Sequence, residues 1–589
     1  MTKKEFNKEK ARLNSSIAYH TKAYNNAEVL KLSVEYCNLY IKNGIVPRSD
    51  FRYIDLYNKL VNMQIDPETE EIVEKEDPIK SLFTTPEIRS IRKLMSNYNI
   101  QFEEKCNIIT ERHGITKEAF LELLEELGIP VGATQFEKAR FNELRRSKRY
   151  IISSAQSGSP VNDTFYINMM KYAEFINAEV GIIATRYRNP TSNFVVETDV
   201  WDSMLEGQLT AVRQTLHKNL SLVADLKIQA TSPNPTNGLD AFEGHKSIIV
   251  GSPTVESRPV SVLPTDTQKS IYSTGTVTVP NFTDSVAGGK AEDLHNYGFV
   301  VVEIENDDVV HVRNVIANVD GSFNDLIYRV EDGEITQEDT QTLVWGDSHF
   351  AQKDFRVTEA FRNLCEDLGV SHSVLHDVWD SESINVHNVK DPIVQHQLMK
   401  EGRDDLQKEL DQMIDELEWF SENMLKTTVV YSNHDDMLDR AMVQSDWRDN
   451  LKNAEVFVRL LSLKLSGKAD DGIIHYLINQ HFDNITALGV EDSYIENGVE
   501  LALHGHKGPN GSRGNIKSFG RLTTPNIIGH SHAPGIKWNT FQVGVSCGLK
   551  HGYNKGLSNW GYAGVTLNKH GARQLIVFNK DTLTYTTLY

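Results

Sequence analysis

Residues 526–535 read NIIGHSHAPG and place His530 and His532 directly after a short apolar run. Gly529 precedes the first histidine, and Pro534 follows the second. A short apolar run bounded by Gly and Pro is typical of a buried strand, and alternate residues along a strand share one face. The stretch therefore predicts a strand that brings two imidazole rings to one point.

Four other apolar runs in the last third of the chain also end in polar side chains that can bind metals. The residues that follow these runs are Asp347 and His349 after TLVWG, Asp377 and Asp380 after SHSVLH, Asn433, His434 and Asp435 after TTVVYS, and His504 and His506 after VELAL. A single residue of this kind is usually a satisfied polar group, but strand ends in a layered α/β fold converge on one crevice. The five runs together predict one site, with a long amphipathic helix in residues 401–425 between the second and third runs.

In chain order the motifs are D-x-H, D-x-x-D, N-H-D, H-G and G-H-x-H, and the series resembles the calcineurin-like metallophosphoesterase superfamily, in its DNA-repair-nuclease-like branch. The resemblance covers about residues 340–589. Two positions depart from the family pattern, because His376 and Ser432 stand where the family usually has glycine. The resemblance implies a C-terminal layered β-sandwich domain, flanked by helices, that holds two adjacent metal ions.

The resemblance also implies a role for each residue. Asp347, His349 and His532 would hold the first metal, Asn433, His504 and His530 would hold the second, and Asp377 would bridge them. His434 would lie near the scissile phosphate, oriented by Asp435. Imidazole and oxygen ligands without sulfur suit Mn²⁺, Fe or Zn²⁺. We therefore expect two divalent ions, Mn²⁺ before Mg²⁺, Fe or Zn²⁺, which can activate a water molecule for in-line attack on phosphorus.

The composition narrows the classes of function. The chain has 589 residues and a formal net charge of −20, which argues against a protein that coats nucleic acid by bulk electrostatics. It does not argue against an enzyme that holds phosphate through metal ions, because the metals contribute their own charge. The four cysteines form no CxxC pair, as expected in a reducing compartment. No signal peptide or bilayer-spanning run is visible, so we expect a cytoplasmic protein with no membrane partner.

The predicted fold class is α/β, in four regions. Residues 1–147 read as helical, 148–227 as mixed α/β with a βαβ unit, 228–340 as β-rich, and 341–589 as the catalytic domain. In the first region, residues 25–44 predict one helix, and residues 102–130 predict a helix–turn–helix that turns at Gly114. Such a pair can place a helix in a DNA groove. Its second helix is acidic, with Glu118 and Glu122, and this favours a plain packing unit.

One compact basic run lies at the end of the first region. Its positive side chains include Arg145, Arg146, Lys148 and Arg149. The run is either a solvated helix end or a contact for the phosphates of DNA, and both interpretations stay open.

The length of chain before the metal motifs favours a polymeric substrate, because a small-molecule phosphatase rarely needs over 300 further residues. YIISSAQSGSPVN (150–162) and ATRYRNPTS (184–192) also resemble the early host-DNA-degradation proteins of large tailed phages of the T-five group. That resemblance implies a Mn²⁺-dependent DNase in the host cytoplasm. We therefore predict a metal-dependent phosphodiesterase that acts as a nuclease on DNA.

Two other functions remain open at this point. One is a phosphomonoesterase or protein phosphatase with a regulatory N-terminal region. The other is a non-catalytic DNA-binding regulator that keeps the metal site as structure. The sequence also leaves open whether the protein is a homo-oligomer.

Overall fold

The structure is a computed structural model that describes residues 87, 90, 91, 94, 102–126, 136–138, 141–187, 200–385, 391–552 and 554–588. The chain divides into two compact units, Met1–Gln135 and Phe136–Tyr589. The helix predicted at residues 25–44 lies outside the described residues. The division of the chain into the four predicted regions stays a prediction.

The first unit contains the predicted helix pair. α1 (Phe102–His113) and α2 (Lys117–Glu126) are joined at Gly114, whose φ of +66° suits glycine. The apolar residues buried in this pair are Cys106, Ile109, Phe120, Leu123 and Leu124. Glu118 and Glu122 are exposed. The helix–turn–helix is therefore confirmed as a packed pair of helices with an acidic outer face.

The second unit contains strands β1 to β26 and helices α3 to α11. In chain order the strands are Phe136–Lys138, Arg149–Gln156, Glu179–Thr185, Val200–Asp202, Leu209–Thr210, Arg213–His217, Leu220–Val223, Ser247–Val250, Glu256–Val260, Lys269–Ser273, Gly298–Ile304, Val310–Ile316, Phe323–Asp325, Tyr328–Glu331, Glu334–Gln337, Thr342–Val344, His372–Leu375, Lys426–Val429, Ile485–Ala487, Ile495–Glu496, Val499–Glu500, Asn526–Ile528, Gly535–Lys537, Thr540–Gln542, Ala563–Leu567 and Arg573–Val577. The helices are Asp163–Phe175, Val286–Asp293, Phe355–Asp367, Pro392–Glu401, Leu406–Asn423, Asp435–Gln444, Ala454–Leu465, Ile473–His481 and Ile516–Phe519.

A five-stranded sheet contains the predicted βαβ unit. Its strand order is β12-β11-β2-β3-β5, and β2 runs parallel to β3 with α3 between them in sequence. Asn162 caps α3 by accepting a hydrogen bond from the N–H of Phe165, which satisfies one free donor of the first helical turn. The βαβ prediction is confirmed.

Strands from two distant parts of the chain form one mixed sheet of ten strands, in the order β20-β21-β22-β24-β23-β9-β10-β8-β7-β6. The strands β6 to β10 lie within residues 213–273, and β20 to β24 lie within residues 495–542. The two parts meet where β23 pairs antiparallel with β9, with Ile536 opposite Ser257. The β-rich middle of the chain and the region of the metal motifs therefore share a sheet.

A six-stranded sheet has the order β19-β18-β17-β16-β25-β26. β16, β17, β18 and β19 are parallel to one another, and β25 is antiparallel to β16. Parallel neighbours place their carboxyl ends at one edge of a sheet, which is where α/β folds bind ligands. Three of the predicted metal motifs follow β16, β17 and β18.

Apolar side chains fill both faces of the six-stranded sheet. Val344 and Val374 belong to a core cluster with Ile527 and Phe541 of the ten-stranded sheet. The residue before Val344 on β16, Leu343, points to the other face, as strand geometry requires. There it joins the cluster formed with α5 and α7, whose buried residues include Phe361, Leu410 and Leu417.

These layers confirm the α/β class and the amphipathic helix predicted between the second and third motifs, which is α7. The superfamily's particular sandwich stays a prediction. None of the described helices is long and apolar enough to cross a bilayer.

Candidate metal centre

The seven predicted metal ligands lie together at the strand ends of two sheets. Asp347, His349, Asp377 and Asn433 follow strands of the six-stranded sheet. His504, His530 and His532 follow β21 and β22 of the ten-stranded sheet. The convergence predicted for the five motifs is therefore present, and it comes from two facing sheets.

The first group of side chains is Asp347, His349, Asp377 and His532, which are all buried. Their ligand atoms lie within 4.8 Å of one another. His532 Nε2 is 3.0 Å from Asp347 Oδ2, and His349 Nε2 is 3.5 Å from Asp377 Oδ2. The two Nε2 atoms of His349 and His532 are 3.1 Å apart. Nitrogen and oxygen atoms at these separations could surround one metal ion.

The second group is built around His504. Its Nε2 lies 3.2 Å from Asn433 Oδ1 and 3.4 Å from Asp377 Oδ2. The ring of His530 is 5.2 Å from the ring of His504, between centroids. Asp377 therefore contacts His349 of the first group and His504 of the second, as a bridging carboxylate would.

Several of these polar atoms are buried without a hydrogen-bond partner among the described residues. They are Oδ1 of Asp347, Oδ1 of Asp377 and Nδ1 of His532. Burying a carboxylate oxygen without a donor is costly, and a bound cation removes that cost. The donor set, imidazole, carboxylate and amide oxygen without sulfur, therefore fits divalent metal ions.

The backbone at the site is in an uncommon conformation. His349, Asp377, His530 and His532 have φ values of 39°, 46°, 73° and 61°. The left-handed region costs a residue other than glycine on the order of 1 kcal/mol or more, and such residues cluster at functional sites. The same turns also need Gly529, because a Cβ there would lie 2.2 Å from Asp347 Oδ1.

The charges at the site favour a cation. Burial alone would lower the pKa of His349, but the carboxylate of Asp380 and its acidic neighbours raise that pKa to about 9. Burial would raise the pKa of Asp377, yet the ring of His504 helps to hold it well below its ordinary value. Burial and the nearby ring of His504 lower the pKa of His530 to about 4, which leaves its ring neutral and able to donate a lone pair.

His434 lies beside the first group. Its ring is 4.8 Å from the ring of His349, and it forms a third cluster of potential ligand atoms with His349 and Asp380. Asp380 Oδ1 is 2.8 Å from His349 Nδ1, and Asp380 Oδ2 accepts a hydrogen bond from the N–H of Ala351. Asp380 therefore orients His349 from behind, a role that the sequence reasoning missed although the second Asp of D-x-x-D was its signal.

Asp435 has partners other than the predicted one. Its Oδ2 accepts a hydrogen bond from the N–H of Ser432 and lies 3.2 Å from His475 Nε2. Within the described part of the chain, the buried Nδ1 of His434 has no hydrogen-bond partner. The predicted orientation of His434 by Asp435 is thus not seen, because α8 begins at Asp435 and its side chain turns back to the preceding loop. No local signal marked His475, which lies near the start of the amphipathic helix α10.

An open cleft of about 1030 Å³ lies over the metal centre. Asp377, Asn433, His434, His530 and His532 line its base. Two exposed basic side chains, Arg513 and Lys517, line the same cleft. They come from the segment KGPNGSRGNIKS (507–518) after the fourth motif, Arg513 from its loop and Lys517 from the short helix α11. Its glycines and positive charges were the signal that the sequence reasoning missed.

The basic run predicted as a phosphate contact does not line this cleft. Residues 141–148 form no helix, so the reading of the run as a helix end is wrong. The side chain of Gln214 pairs with both the N–H and the C=O of Leu144 and holds this segment extended. Arg149 donates hydrogen bonds to Ile176 O and Thr587 O, whereas Arg145, Arg146 and Lys148 are exposed.

Comparison with known proteins gives one informative similarity. Over 463 residues, the chain is 29% identical to Protein A1 of Escherichia phage T5, an alignment that covers 74% of this chain and 83% of Protein A1. No family model matches the chain, and no solved structure matches it. The chain is therefore similar to a phage protein over most of both lengths, and membership of the metallophosphoesterase superfamily stays a prediction.

Proposed function

We propose that this protein is a metal-dependent phosphodiesterase that cleaves DNA. The observation that carries the proposal is the pair of ligand groups that share Asp377, at the base of an open cleft with basic side chains at its rim. A purely structural metal site is normally closed by its ligands. This one faces a cleft that also contains His434, a group able to transfer protons.

Each residue has a defined part in this proposal. Asp347, His349 and His532, together with Asp377, would hold one divalent ion, and Asn433, His504 and His530, together with Asp377, would hold the other. Divalent ions at these positions would supply an activated water and Lewis-acid stabilisation at phosphorus.

The other roles belong to side chains that line the cleft. His434 would give a proton to the leaving oxygen, a contribution of ~10²–10⁴-fold if it is the general acid. Arg513 and Lys517 would hold the phosphates on either side of the cleaved bond. The openness of the cleft suits a chain that continues in both directions, which favours a polymer over a small phosphomonoester.

The setting that fits this activity is infection by a phage. The similarity to a phage T5 protein supports a phage-related role. The motifs at residues 150–162 and 184–192 add the more specific proposal that the substrate is host DNA.

The test is incubation of the purified chain with linear and covalently closed circular DNA, with Mn²⁺, with Mg²⁺ or with chelator. We expect cleavage that needs the metal and that falls by at least ~100-fold in His434→Ala and Asp377→Asn. Lys408→Gln, on the exposed face of α7, is the matched control and should cleave like the wild type. Hydrolysis of p-nitrophenyl phosphate without cleavage of DNA would instead identify a phosphomonoesterase.

A further inference from the structure

A second concavity opens beside the metal cleft, and Trp560 lines both. This side pocket has a volume of about 380 Å³. The ring of Trp560 stands nearly perpendicular to His532, at 4.1 Å between centroids, and to His551, at 5.1 Å. Two imidazoles therefore fix the orientation of the indole at the boundary between the metal centre and the side pocket.

The side pocket combines apolar walls with a positive rim. Its walls include Leu263, Pro264 and Leu549, and Leu263 is 52% exposed although it is apolar. Lys550 and Lys555 line the same pocket and are exposed. Asp266 is the one acidic residue among the described residues that line it. This local excess of positive charge contrasts with a formal net charge of −20 for the chain.

Flat apolar rings attached to phosphates fit such a surface. Sites for single-stranded nucleic acid combine aromatic side chains, on which bases stack, with cations that follow the backbone. Bases within a duplex are stacked on one another, so their faces cannot reach an indole inside a pocket without being extruded. The side pocket therefore fits an unpaired nucleotide better than a base pair.

We propose that the side pocket binds an unpaired nucleotide of the substrate strand, with its base against Trp560 and its phosphate at Lys550 and Lys555. This inference rests on the proposed function, because it places that nucleotide next to the phosphodiester at the metal centre. It makes single-stranded DNA, or an unpaired segment of duplex DNA, the preferred substrate.

The test measures binding in the presence of chelator, so that cleavage does not interfere. The probes are a fluorescein-labelled ten-nucleotide thymidine strand and a duplex of the same length, followed by fluorescence anisotropy. We expect Lys550→Gln/Lys555→Gln to weaken binding of the single strand about tenfold at low salt and to reduce its salt dependence. Trp560→Leu should weaken it to a similar extent. The control Lys400→Gln/Lys408→Gln, on exposed positions of α6 and α7, should bind like the wild type.

The outcomes separate this inference from the proposed function. Unchanged affinity in the Lys550/Lys555 variant, an equal loss in the control variant, or duplex bound as tightly as the single strand by the wild type would each overturn the side pocket as a nucleotide site. Hydrolysis of bis(p-nitrophenyl) phosphate by the wild type with Mn²⁺ tests the metal centre alone. Its absence would count against the proposed function, and the binding result would still decide the side pocket.

Discussion

Substitution of Gly529 by alanine should disable the metal centre without unfolding the protein. A Cβ at this position would lie 2.2 Å from Asp347 Oδ1 and 3.2 Å from Cγ of His376, whereas ordinary contact begins near 3.4 Å. The carboxylate of Asp347 would therefore have to move by about 1.2 Å. It cannot do so freely, because its Oδ2 accepts a hydrogen bond from the N–H of His530 at 2.7 Å and lies 3.0 Å from His532 Nε2.

The size of the effect follows from this displacement. A misplacement of about 1 Å at a catalytic group can lower the rate ~100-fold, and overpacking of a buried site costs ~1–3 kcal/mol of stability. We expect Gly529→Ala to bind Mn²⁺ at least ~10-fold more weakly and to hydrolyse phosphodiesters ~100-fold more slowly.

Isothermal titration with Mn²⁺ and initial rates of phosphodiester hydrolysis measure the two effects separately. Thr523→Ala, on the exposed turn before β22, is the matched control and should resemble the wild type in both assays. If Gly529→Ala bound Mn²⁺ and hydrolysed substrate like the wild type, Asp347 would not be a ligand in the arrangement described.

Four further predictions concern pH, metal and the residues around the ligands. Burial raises the pKa of Glu409 to about 7 in the folded protein, against an ordinary value of 4.5. The unfolded chain therefore releases this proton at lower pH, and the free energy of unfolding should fall as the pH rises between those values. Thermal unfolding should show that Glu409→Gln removes a loss of stability on the order of 2–3 kcal/mol between pH 5 and pH 8. His475→Ala leaves the buried carboxylate of Asp435 without its histidine partner and should cost roughly 3 kcal/mol in urea unfolding, and wild-type stability would contradict this contact. Asp380→Ala removes the carboxylate 2.8 Å from His349 Nδ1 and should weaken Mn²⁺ binding ~10–100-fold by calorimetry, whereas unchanged affinity would refute its orienting role. Mn²⁺ at 100 times its dissociation constant should stabilise the protein by ~2.7 kcal/mol, reversed by chelator, and a melting temperature that does not respond would count against a built metal site.

The parts of the site that could be predicted are those with a local signal. The apolar runs before Asp347, Asp377 and Asn433 predicted strands, because a buried strand consists of apolar residues. The polar residues that follow each run marked the strand ends, where metal ligands are expected. The βαβ unit could also be predicted from the sequence, because an apolar strand, a capped amphipathic helix and a second apolar strand follow one another in the chain. The strand-end pattern thus predicted that these motifs meet, and the family resemblance selected the seven side chains that the structure brings together.

The features that sequence reasoning missed depend on residues far apart in the chain. The contact between Asp435 and His475 joins the starts of two helices. The sequence around either residue does not predict this contact. The sequence left the basic run open as a solvated helix end or a phosphate contact. The structure shows an extended segment instead, because Gln214, about 70 residues away in the chain, pairs with Leu144. Likewise, the sequences of β9 and β23 do not predict that these two strands pair.

The ten-stranded sheet cannot be completed until strands from distant parts of the chain have both been synthesised. Ser257 pairs opposite Ile536, about 280 residues later in the chain. At ~5–20 residues per second on the ribosome, roughly 15–60 s pass before the partner of β9 exists. During that interval an unpaired strand edge is available to other chains, which is the usual template for aggregation. The paired edge and the metal centre therefore form only after His532 and Ile536 have been synthesised, so every shorter nascent chain lacks the site that we propose for phosphodiester cleavage.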